Sequence, residues 1–90
     1  MKAAVMRAPN APLSIEEVTI SKPGPREVLV RLKAVGVCHS DVHFWDGAFP
    51  TEVPVILGHE SAGIVEQVGS MVSAVKPGDH VVSILSPFCG

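Results

Sequence analysis

Cysteine, histidine, serine and aspartate crowd one short stretch, Cys38-His39-Ser40-Asp41-Val42-His43, and a second polar pair, His59-Glu60, follows Gly58. Thiolate, imidazole and carboxylate are the ligand types that zinc takes from protein side chains, and a catalytic zinc keeps three protein ligands with a fourth position open to water or substrate. Cys38, His59 and Glu60 offer one of each. His59 follows Cys38 by 21 residues, so this is not the short-spaced set of a zinc finger, and only the fold could bring these groups together.

Taken singly, each residue has a plainer reading. A buried cysteine is commonly a small hydrophobe, and His59-Glu60 would suit a surface turn. Together they resist that reading, because the apolar run Val55-Ile56-Leu57 leads through a glycine straight into two adjacent polar groups. Ser40 and His43 are three apart and share a face on a helix, where a hydroxyl near a metal and an imidazole nearer solvent could relay a proton. Ser40 could equally cap the helix, with His43 a solvated polar residue. Asp41 suits the first turn of a helix, or the outer position from which a carboxylate orients a ligating imidazole. Cys89 reads as a free thiol or as the first thiolate of a cysteine-rich zinc loop, with no further cysteine after it.

The elements that must position these groups read as short strands. Eight Gly and eight Pro punctuate runs rich in Val, the most frequent residue. Residues 2–7 and 13–20 flank the Pro9-Asn10-Ala11-Pro12 turn as two strands, and Ser21-Lys22-Pro23-Gly24-Pro25 forms a loop. Residues 27–38 give the clearest strand: Val28, Val30, Leu32 and Ala34 share one parity and Arg31 and Lys33 the other. That pattern predicts a buried even face with Cys38 emerging on it at the strand's end, unless a bulge at Gly36 shifts the parity. Residues 40–47 suit a short helix capped by Ser40 or Asp41 and ended by Gly47. Residues 49–54 read as a loop, 55–57 as a short strand and 61–68 as another; Pro77-Gly78-Asp79 turns into a strand over 80–85.

Ninety residues suit one small domain, so any partner domain lies outside them. With 47% hydrophobic and 18% charged residues and a net charge of -2, the chain has a globular profile without an electrostatic footprint for nucleic acid or anionic membrane. No apolar run approaches the roughly 20 residues of a membrane span, and no secretory leader pattern opens the chain. Two cysteines make no disulfide framework, which fits a reducing cytoplasm with both thiols available to metal.

Four segments in order carry a resemblance: Gly36-Val37-Cys38-His39-Ser40-Asp41-Val42-His43, Pro54 through Val65 with Gly58-His59-Glu60 at its centre, Val75-Lys76-Pro77-Gly78-Asp79-His80-Val81-Val82, and Pro87-Phe88-Cys89-Gly90. With them the chain resembles the zinc-containing medium-chain alcohol dehydrogenases. The resemblance implies a mainly β fold, a GroES-like partly open β-barrel with short helices, and makes residues 1–90 the N-terminal part of the catalytic domain, with a doubly wound nucleotide-binding domain outside the chain. It implies that Cys38 and His59 are catalytic-zinc ligands, with Glu60 entering or leaving the coordination sphere and a further cysteine beyond position 90. It makes Ser40 and His43 the proton relay, Asp41 the partner of a zinc-bound imidazole and His39 a group near the cofactor's pyrophosphate. Trp45 and Phe49 become pocket residues, although plain core packing suits them equally. Cys89 matches the first of four structural-zinc cysteines, of which the other three are absent.

The activity so implied is reversible oxidation of an alcohol to an aldehyde or ketone with hydride transfer to NAD or NADP, in a homodimer or homotetramer. Polyols, aryl alcohols or a thiol-formaldehyde adduct are alternative substrates within the zinc branch. The zinc-free quinone-reductase branch shares the fold but lacks the ligands that Cys38, His59 and Glu60 match, and a non-enzymatic GroES-like binding module would not need Ser40, Asp41 and His43 beside a thiolate. No Gly-x-Gly-x-x-Gly fingerprint occurs, so these residues do not distinguish NAD from NADP.

Overall fold

A computed structural model describes residues 1–86. Its elements in chain order are β1 (Lys2–Val5), β2 (Ser14–Glu17), β3 (Val28–Gly36), α1 (His39–Asp46), β4 (Glu60–Val68) and β5 (His80–Val82). They fall into two compact units: Met1–Ile20 with Val37–Gly58, and Ser21–Gly36 with the residues from His59 onward. The strands form two open sheets, and no closed barrel occurs among the described residues. The only helix among them has eight residues, and none is long and apolar enough to cross a membrane.

In the first unit β1 and β2 pair antiparallel, from Lys2 opposite Glu17 to Val5 opposite Ser14. Asn10 takes the turn between them in the left-handed region (φ 61°), which asparagine tolerates better than most residues. Met6 then exchanges backbone hydrogen bonds with Val55 at 2.8 and 3.0 Å. That isolated bridge is all that forms of the strand expected over 55–57. Val5 and Met6, 5% and 1% exposed, are this unit's buried core.

In the second unit β4 is the central strand of an antiparallel β3-β4-β5 sheet. Val65, 2% exposed, is its buried centre. The ladder slips twice, between Leu29 and Val30 and between Leu32 and Ala34, so Lys33 is the extra residue on β3. The alternation is thus broken at Lys33, ahead of Gly36, where a bulge would have shifted the parity. A one-residue slip sends later side chains to the opposite face. The even face is not buried as the alternation predicts, even ahead of the bulge: Val28 and Val30 are half-buried, Leu32 is 54% exposed and Ala34 is exposed. Among the described residues the unit holds no further strand or helix that could cover this half of β3. Strand β5 is shorter than expected, ending at Val82.

Candidate functional site

Cys38 stands immediately before α1 in extended backbone (φ -96°, ψ 150°), as its N-cap. The capping residue is therefore neither Ser40 nor Asp41. Asp41, three residues on, reaches back so that its Oδ2 accepts the Cys38 N–H at 3.1 Å, while the Asp41 N–H donates to the Cys38 carbonyl at 3.0 Å. This is the reach-back half of a capping box, with a carboxylate in the first turn where the helix dipole favours it. It holds the backbone of Cys38, and with it the origin of a half-buried thiol, in one conformation. Gly47 ends the helix with φ 87°, the left-handed cap that glycine supplies without steric cost.

Along α1, His39 and His43 meet edge to face with ring centroids 4.6 Å apart, and the His43 ring lies 4.9 Å from that of Phe49. Phe49 also packs against Phe44 and remains 45% exposed. Ser40 lies one turn before His43 on the same side of the helix. Trp45 donates its indole N–H to the Ala11 carbonyl at 2.7 Å. It lines an apolar groove of about 400 Å³ with Pro12, Leu13, Val42 and Leu57, and Asp41 contributes to the same lining. Phe49 does not line that groove.

The second unit presents His59 and Glu60 where β4 begins. Gly58, with φ 135°, supplies just before them a backbone conformation that other residues rarely adopt. Ser83 fixes the segment: its hydroxyl donates to the His59 carbonyl at 2.8 Å and accepts the Ser61 N–H at 3.1 Å, and its own N–H donates to the Ser61 carbonyl at 2.9 Å. His59 is half-buried and Glu60 exposed. Opposite Glu60 in the ladder stands Gly36. A Cβ at Gly36 would run into the Glu60 carboxylate and would lie 3.3 Å from the Glu60 Cβ. The missing side chain thus makes a cradle in which that carboxylate lies along the end of β3.

Sequence reasoning missed Gly36 as a close approach, Ser83 as the staple behind His59, and Asp46 beside His43. Only Asp46 left a signal, its spacing of three from His43 on a helix. Cys89, with the segment 87–90 that carried the last part of the resemblance, lies outside the described residues.

Among the described residues two carboxylates, Glu16 and Asp79, depart from their ordinary behaviour. The hydrogen bond from Arg7 holds Glu16 below the usual carboxylate range, and the hydrogen bonds from Lys76 do the same for Asp79. Both lie outside the cluster on α1 and the start of β4, and they serve as surface ties.

Two open antiparallel sheets and one short helix, with cysteine at the helix cap and His-Glu at a strand start, define a mainly β fold. The family described as the alcohol dehydrogenase GroES-like domain matches residues 24–90, and the chain belongs to it. Two relatives from Mycobacterium tuberculosis that carry the name of an alcohol dehydrogenase are 48% identical over 88 residues, which is 98% of this chain and 24% of theirs. Among solved structures, an alcohol dehydrogenase zinc-binding domain protein from Burkholderia ambifaria is 49% identical, with a TM-score of 0.84 over 88% of this chain and 21% of that one. The Escherichia coli quinone oxidoreductase complexed with NADPH is 35% identical, with a TM-score of 0.78 over 90% of this chain and 25% of that one. The chain therefore spans about a quarter of the length of these relatives. Dehydrogenase and quinone-reductase folds both match it, so the donor residues have to decide between them.

Proposed function

We propose that the chain is the N-terminal part of the catalytic domain of a zinc-dependent alcohol dehydrogenase that oxidises an alcohol reversibly with NAD or NADP. The observation that carries this reading is the cradle at Gly36, which accommodates a carboxylate where a side chain would stand. Cys38 follows Gly36 by two residues, which cannot take it more than about 7 Å further along the chain. His59 precedes Glu60 directly. Thiol, imidazole and carboxylate are a donor set that fits zinc.

In this reading Cys38, as thiolate, and neutral His59 hold the metal, and Glu60 is the carboxylate that joins or leaves them. When bound, zinc supplies Lewis acidity to a substrate oxygen, and the nicotinamide accepts hydride. Ser40 takes the hydroxyl proton of the alcohol and passes it to His43, an imidazole that can hand it on to water. Asp41, already fixing the Cys38 backbone, orients the metal-bound imidazole. His39 lies toward the cofactor's pyrophosphate, and Trp45 and Phe49 flank the alcohol. Cys89 belongs to a structural zinc loop completed outside these residues. The full-length enzyme is a homodimer or homotetramer in the cytoplasm, without nucleic-acid or membrane partners.

The test is oxidation of a panel of primary, aryl and polyol alcohols by the full-length protein with each nicotinamide cofactor. Turnover that chelation abolishes and zinc restores is expected. Turnover of quinones with NADPH, indifferent to chelation, would move the chain to the zinc-free branch.

A further inference from the structure

The Nδ1 atom of His43 is buried and has no hydrogen-bond partner. An orphaned polar atom of this kind loses its hydration without compensation, so a native structure rarely keeps one without a reason. A group of opposite character stands on its own helix. Asp46, one turn further on, brings Oδ2 to 4.0 Å from His43 Nδ1. Its other oxygen is engaged, because Oδ1 accepts the Ala48 N–H at 2.8 Å. An acid in the last turn of a helix opposes the helix dipole. Asp46 closes α1 all the same, with one oxygen tied to the turn that follows and the second facing the imidazole. His39 meets His43 edge to face on the same helix, and Phe49 covers it from the following loop.

We propose that Asp46 is the positioning residue of the relay: its carboxylate holds the Nδ1–H tautomer of His43, leaving Nε2 as the nitrogen that receives the proton from Ser40. This rests on the relay reading of His43. A contraction of the 4.0 Å separation to hydrogen-bond distance suffices, and hydrogen bonds around catalytic groups are often long before substrate binds. The outer-lying carboxylate fixes which ring nitrogen is protonated and which way the ring faces, the role such partners play behind other working histidines.

Asp46→Asn tests this cleanly. With its amide oxygen kept on the Ala48 N–H, the substitution turns an NH2 donor toward Nδ1 and favours the opposite tautomer. The readout is the imidazole nitrogen spectrum of full-length protein labelled with 15N-histidine, at a pH where the ring is neutral, with His43→Gln to assign the signal. The wild type is expected to show a protonated Nδ1. In Asp46→Asn the proton is expected on Nε2, with kcat for alcohol oxidation lowered about tenfold. An unprotonated Nδ1 in the wild type overturns the proposal, as does an unchanged tautomer in Asp46→Asn. If instead His43→Gln retains full turnover at every pH, the relay reading fails while the tautomer result stands by itself. Should Asp46→Asn not fold, the wild-type spectrum alone still decides.

Discussion

Alanine placed at two glycines of the same sheet should have unequal consequences, because the two sites differ in what an added methyl group would strike. At Gly63 a Cβ meets the carbonyl group of Arg31 and lies 2.8 Å from Val30 Cγ1 and 3.0 Å from the Arg31 carbonyl carbon. These belong to the paired strand β3, whose backbone cannot rotate away, so the β3-β4 ladder must open. Overpacking of this kind costs about 1–3 kcal/mol, and each ladder hydrogen bond lost adds about 1 kcal/mol. The gain from removing a strand glycine, about 0.5–1 kcal/mol, does not offset that, which leaves Gly63→Ala about 2–4 kcal/mol less stable. At Gly36 the clash is with the end of the Glu60 side chain, which can swing aside, and with its Cβ at 3.3 Å, which must give slightly. The same glycine gain applies, so Gly36→Ala is expected to stay within about 1 kcal/mol of wild type. Its effect should appear in the metal: with the carboxylate expelled from its cradle, zinc retention against a chelator falls by about tenfold. Denaturant unfolding of the full-length variants, with zinc content in parallel, gives both numbers. Equal destabilisation by the two substitutions, or a neutral Gly63→Ala, would refute the reasoning.

Other expectations follow from the same contacts. Ser83→Ala removes the hydroxyl that ties His59 to Ser61 and should lower zinc affinity about tenfold with little change in stability; metal titration by competition checks it, and unchanged affinity would show that the staple is idle. Stability should fall at acid pH through Glu16 and Asp79. Because their folded pKa values are lowered, the stability they add is present above the ordinary carboxylate range and is lost as pH falls through their folded values. Lys76→Ala should therefore flatten the acid limb of a pH-stability profile, and salt should weaken the effect in the wild type; identical acid limbs for variant and wild type would count against it.

Much of this arrangement could be read from residue order. The alternation over Val28–Ala34 marked β3, Gly47 marked the end of α1, and Pro77-Gly78-Asp79 marked the turn into β5. What failed was set by contacts between distant residues. No local pattern announces that Lys33 bulges, because the slip is a property of how β3 meets β4. The helix start was misplaced because serine and aspartate are better intrinsic caps than cysteine. The Asp41 side chain reaches back to Cys38 and gives the cap position to the thiol residue. The 55–57 run is as apolar as a strand, yet Val55 alone finds a partner, at Met6. The site residues themselves were legible as types, while the glycine cradle and the Ser83 staple depend on pairing across the sheet that spacing does not reveal.

The most direct measurement is zinc K-edge absorption spectroscopy, with metal content, on the full-length protein and its Cys38→Ala and His59→Ala variants. Wild-type enzyme should show sulfur at about 2.3 Å together with nitrogen or oxygen at about 2.0–2.1 Å. Either substitution should remove one zinc per subunit along with the nitrogen and oxygen scattering and abolish alcohol oxidation. Full zinc content with unchanged scattering in Cys38→Ala would contradict the assignment of this cysteine as a ligand, and with it the zinc-dependent reading of the chain.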